Sequence, residues 1–115
     1  MSERDLPFLL QDIKVAIQSI LDYTIGFNAE TYEQDVKTRH AVERNFEIIG
    51  EAASRIPDQY KVLHPHIEWR IIKDFRNFII HDYFGINNQI VWDTIQFRLP
   101  DLLISINTLL STENE

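Results

Sequence analysis

The chain has 115 residues, 44% of them hydrophobic, which suits one domain around one core and excludes a disordered chain. It contains no cysteine, so a disulfide framework and a thiolate metal site are excluded, and an intracellular, cytoplasmic setting is expected. The formal net charge of -7 argues against indiscriminate nucleic-acid binding, which needs a positive surface, so any nucleic-acid role must use a local basic patch.

Glu3, Arg4 and Asp5 precede the first apolar stretch, which does not read as a signal peptide. No run of about 18 apolar residues occurs, so no membrane span is expected. With 3 Gly and 4 Pro there is little turn punctuation for a many-stranded β protein.

Four segments show helical periodicity. In the first, from about Leu6 to Ile25, Leu6, Leu9, Ile13, Ile17, Ile20 and Leu21 fall on one stripe. Pro7 is tolerable in a first turn. In the second, from about Tyr32 to Ile56, Thr31 and Gln34 read as a capping box, and the stripe is Val42, Phe46, Ile49, Ala53 and Ile56. The small residues Gly50, Ala52 and Ala53 permit close approach of a neighbouring helix, and Pro57 and Asp58 end the segment. A loop is expected from Gln59 to Pro65. The third helix begins near Ile67, carries Ile71, Ile72, Phe75, Phe78 and Ile79 on one side, and has a stop signal at Gly85. Asn87 or Asn88 caps a fourth, with Val91, Ile95, Leu99, Leu102, Ile106, Leu109 and Leu110 as its stripe and a kink at Pro100. The tail from about Ser111 is expected to fray. Together these predict an all-α protein, an antiparallel bundle of four main helices forming a single domain over residues 1–115.

The third helix is where chemistry is expected. An α-helix turns about 100° per residue. Arg70, Lys73, Asn77 and His81 therefore share one polar face, away from Phe75, and make a local basic strip in an acidic chain. Arg76 and Tyr83 share a flank. Arg76 and His81 are about 140° and about 7.5 Å apart on a regular helix, so they are not neighbours. If both act on one phosphate, either the helix distorts or a second copy contributes, which favours a composite site on a two-fold axis. The residue types suit RNA phosphodiester chemistry. Histidine titrates near neutrality and can take the proton of a 2′-hydroxyl. Arginine presents a planar fork to a phosphoryl group gaining charge. Asn77 can hold the imidazole or bond the phosphate. Read as structure only, Arg76 pairs with Glu47 or Glu51, and Trp69 and Trp92 are core or dimer residues. No convincing metal cluster is visible: His64 and His66 flank Pro65 without a carboxylate or Cys array.

The run from Arg76 through His81 to Tyr83 has the pattern R-x4-H-x-Y. It resembles the signature of HEPN-domain ribonucleases, specifically the HepT toxin group. Residues Arg44 to Ala53, Pro65 to Trp69, Asp74 to Asn77, His81 to Phe84 and Val91-Trp92 are similar to that group in order and spacing, over roughly residues 5 to 110. The resemblance implies a homodimeric HEPN-like bundle whose two motifs face a shared cleft, and a metal-independent endoribonuclease without a cofactor. His81 would be general base or acid, Arg76 would stabilise the scissile phosphate, and Asn77 matches the polar residue after the arginine. Apart from the resemblance, the charges of Arg70 and Lys73 read either as guides for RNA, with transfer RNA a candidate target, or as a solvated face. The expected products are a 2′,3′-cyclic phosphate and a 5′-hydroxyl. The resemblance further implies the toxin half of a toxin–antitoxin pair, with an MntA-like nucleotidyltransferase antitoxin that adds AMP to Tyr83. The competing reading is a non-catalytic helical module that only partners such a nucleotidyltransferase.

Overall fold

The computed structural model describes residues 5–80 and 87–113, apart from the side chains of residues 76–80. Among the described residues there is no strand; the elements are α1 (Asp5–Tyr23), α2 (Ala29–Gln34), α3 (Val36–Arg55), α4 (Asp58–Leu63), α5 (Trp69–Ile80), α6 (Asn88–Phe97) and α7 (Leu99–Glu113). The protein is all-α, as the periodicity predicts. None of these helices is long and apolar enough to cross a membrane.

The predicted stripes are the core. Leu9, Ile13, Ile17 and Ile20 of α1 are buried against α3, whose Val42, Phe46, Ile49 and Ala53 are fully buried in turn. Leu6 and Leu21 sit half-buried at the two ends of the α1 stripe. Helix α3 packs on α5 through Ile72 and Phe75, and α7 covers the other side of α1 with Ile106, Leu109 and Leu110. Burial of each such side chain contributes about 1.5–3 kcal/mol, enough to fix the stack. Helix α1 ends where Thr24 donates its hydroxyl to the Ile20 carbonyl at 2.8 Å, and Gly26 then turns the chain with a φ of 83° that side-chain-bearing residues rarely adopt.

Four boundaries differ from the sequence reading. The segment read as one helix from Tyr32 to Ile56 is two, α2 and α3, parted at Asp35. Asp35 has extended backbone and its carboxylate accepts from the Thr38 amide at 2.9 Å, so it closes one helix and caps the next. The break lets Tyr32 turn its ring fully inward, 5.5 Å from the ring of Trp92. The capping box is also one turn earlier than expected. Asn28 is the cap and Thr31 the third helical residue, each side chain bonding the other's amide at 2.9 Å. Second, the expected loop after Gln59 contains α4, anchored by buried Tyr60.

Third, Pro100 does not kink one long helix. A proline there removes an amide and crowds the Gln96 carbonyl, so α6 stops at Phe97 and α7 starts at Leu99, with Pro100 in a first turn that needs no donor. Fourth, α7 continues to Glu113, where fraying was expected from Ser111. Asn87 is the cap of α6, its side chain accepting from the amides of Gln89 and Ile90 at 3.1 and 3.2 Å. Ile71, placed on the apolar side by its spacing, is 37% exposed. The stop at Gly85 lies outside the described residues.

Candidate functional site

Helix α5 carries the polar strip, and the structure shows what holds it. At its start Trp69 is buried and its indole N–H donates to the His64 carbonyl at 3.0 Å. Tyr60 of α4 stacks on both sides of that contact, 4.4 Å from the His64 ring and 6.3 Å from the Trp69 ring. Further along, Phe75 meets Phe46 of α3 edge to face, with centroids 5.2 Å apart and planes at 84°. This geometry suits aromatic quadrupoles and fixes the helix one residue before Arg76.

Against that inner face, Arg70 and Lys73 are exposed, as the helical arithmetic predicts. Asp74 is exposed beside them, so the strip is bordered by a carboxylate. Arg76 and Asn77 lie in the last turns of α5. His81 and Tyr83 lie outside the described residues. The structure thus brings Arg70, Lys73, Arg76 and Asn77 onto one helix.

Several bland readings can be placed. Glu47, one proposed structural partner of Arg76, has Arg44 at 3.1 Å in a surface pair within α3. Trp69 and Trp92 are packing residues, one buried and one half-buried against the core. His64, given no role by the sequence, braces the α4–α5 connection with its ring and its carbonyl. Among the described residues no group of three His, Cys, Asp or Glu is placed to hold a metal ion.

One half-buried basic residue, Lys61 of α4, was given no role by the sequence reading. Burial lowers the pKa of its ammonium, Asp58 opposes that shift, and Lys73 adds to it.

A family model described as ribonuclease HepT-like matches residues 13–109. A relative from Thermococcus cleftensis named "Probable ribonuclease HepT" is 42% identical over 93 residues, covering 81% of this chain and 84% of its own. A Methanocaldococcus jannaschii protein named "Putative RNase MJ0127" is 32% identical over 110 residues, covering 96% and 91%. One from Caldanaerobacter subterraneus, "Putative RNase TTE0752", is 32% identical over 108 residues, covering 94% and 93%. No solved structure matches the chain. With a family model spanning most of its length and relatives aligned almost end to end, the chain belongs to the HepT-like ribonuclease family.

Proposed function

We propose that this protein is a metal-independent endoribonuclease of the toxin type, acting in the cytoplasm as a single-domain protomer in a homodimer. The observation that carries the reading is the coincidence of family membership over residues 13–109 with an intact R-x4-H-x-Y run inside that span, from Arg76 to Tyr83. The exposed Arg70 and Lys73 on the same helix add the local positive charge that an acidic chain needs to meet RNA.

In this reading the imidazole of His81 takes the proton of a 2′-hydroxyl, and the freed oxygen attacks the adjacent phosphorus. The bond from phosphorus to the 5′-oxygen breaks, and that oxygen leaves with a proton returned by imidazole. A 2′,3′-cyclic phosphate and a 5′-hydroxyl result. Arg76 stabilises the charge that builds on the phosphoryl oxygens, and Asn77 orients either the imidazole or the phosphate. Because Arg76 and His81 are not neighbours on a regular helix, two copies of the motif facing one cleft supply the groups together.

Regulation follows from the tyrosine. A nucleotidyltransferase antitoxin presents ATP, and the Tyr83 hydroxyl attacks its α-phosphorus. The bond to the β-phosphate bridge breaks, pyrophosphate leaves and the phenolic proton is lost. The attached AMP puts bulk and negative charge beside His81, where an RNA phosphate must sit.

The test is cleavage of total transfer RNA in EDTA by wild type, His81→Ala and Arg76→Ala, after mass spectrometry shows Tyr83 unmodified. Cleavage by wild type alone, leaving cyclic-phosphate ends, is expected. Full activity in His81→Ala would remove the catalytic assignment. Silence of the unmodified wild type across several RNA classes would favour a non-catalytic partner of a nucleotidyltransferase.

A further inference from the structure

Where α6 gives way to α7, a hollow of about 270 Å³ opens against the start of α5. Its floor is Ile72 and Phe75 of α5 and Leu102 of α7, and Ile71 and Phe97 form an apolar lip. That lip meets water: Phe97 is 75% exposed and Ile71 37%. Permanent charges stand on the rim. Arg98 is held by Glu68 at 3.0 Å, and exposed Asp101 lines the same rim, which thus has two carboxylates for one guanidinium. Small-molecule pockets run to about 300–1,000 Å³, so this hollow suits one bulky side chain better than a whole ligand. The occupant that matches floor and rim is an apolar side chain with a cation next to it. The same edge displays that pair, since Arg98 follows Phe97 directly. A surface that carries both a hollow and its complement meets the condition for an isologous two-fold contact.

Building on the paired-motif reading above, we propose that this hollow is a second self-contact, through which two pairs of the protein join. Phe97 of each copy enters the hollow of the other. Arg98 keeps Glu68 and turns its remaining N–H donors to the other copy's Asp101. The contact is separate from the nuclease cleft. The midpoint of Ile71 and Phe75 lies about 150° around α5 from that of Arg70 and Lys73. A copy seated in the hollow is therefore on the far side of α5 from the polar strip and leaves the strip open.

The experiment measures assembly mass by sedimentation velocity over a concentration series that spans the micromolar range. Wild type should pass from two copies to four or more. Phe97→Ser, Arg98→Asp and Asp101→Arg should each weaken that joining by at least about tenfold. An equimolar mixture of Arg98→Asp and Asp101→Arg should recover it, because opposite charges then face each other across the two-fold. Recovery also shows that both variants are folded. Val62→Ser, at an apolar residue of α4 that is 75% exposed and outside the hollow, should leave joining unchanged. A mixture that fails to recover joining, or a Val62→Ser variant that loses it, overturns the self-contact. If wild type stays at two copies that Phe97→Ser leaves intact, the self-contact alone fails and the hollow is left to another protein's segment. If Phe97→Ser splits those two copies, the hollow is the pairing surface and the paired-motif reading fails instead. If wild type is a single chain throughout, both fail.

Discussion

The contact of α1 with α3 and the contact of α4 with α5 are built from different chemistry. The first is a broad apolar seam in which Ile13, Ile17, Val42, Phe46 and Ile49 lose all exposure to water. The second is small and directional, made of an indole N–H bond and two tilted ring contacts around Tyr60, His64 and Trp69, with Val62 and Leu63 left 75% and 74% exposed beside it. An area-driven seam tolerates small shifts and supplies stability. A directional contact adds little free energy and sets position, because hydrogen bonds and ring pairs weaken quickly when displaced. The helix bearing the polar strip is held by both kinds, by α3 through Ile72 and Phe75 along its length and by the directional contact at its start.

The largest expected effect concerns chemistry on the strip. Arg76→Ala or His81→Ala should lower RNA cleavage by about a hundredfold to ten-thousandfold, as measured by gel assay. Their urea midpoints should stay near wild type; a large drop would make these residues structural and erase the contrast between the two regions.

Next comes the apolar seam. Phe46→Ala empties a fully buried site and removes the edge contact to Phe75. Urea unfolding should show a loss of about 3–5 kcal/mol. Trp69→Phe, at the directional contact, deletes one N–H donor and should cost about 1 kcal/mol. Were the two variants equally destabilised, α4–α5 would be a second seam rather than a positioning joint.

A smaller effect, of opposite sign, is expected at Tyr32. Its hydroxyl is buried and has no hydrogen-bond partner. Tyr32→Phe should therefore be neutral or stabilising by up to about 1 kcal/mol. Burial also raises the pKa of the Tyr32 hydroxyl above 10.0, with Glu43 adding to the shift, and burial pushes Tyr60 up to about 12. Above pH 10 the unfolded tyrosines release protons while the folded ones keep them. The unfolded state then binds fewer protons, and stability falls as pH rises from about 10 towards 12. Denaturation series at pH 9 to about 11.5 should show that fall, and Tyr32→Phe should make it shallower.

The smallest effect belongs to the Arg98–Glu68 pair at 3.0 Å, with both side chains more than half exposed. Arg98→Ala should change stability by about 0.5 kcal/mol or less. A larger change would show that this link between Glu68, just before α5, and the α6–α7 break also helps to position the strip.

The sequence by itself determined the helical class, the inward stripes of α1, α3, α6 and α7, and the exposed placement of Arg70 and Lys73. Each depends on periodicity along one helix, a local property. It also carried the motif from Arg76 to Tyr83, whose residues are close in the chain. Only the tertiary structure decided where helices break. Asp35 ends α2 because burying Tyr32 against Trp92 outweighs continuing a helix that periodicity alone would extend. Six residues after Pro57 become α4 because Tyr60 finds a pocket between His64 and Trp69. No one-dimensional pattern records that docking, since it depends on how Tyr60, His64 and Trp69 meet in space rather than on the spacing within one helix.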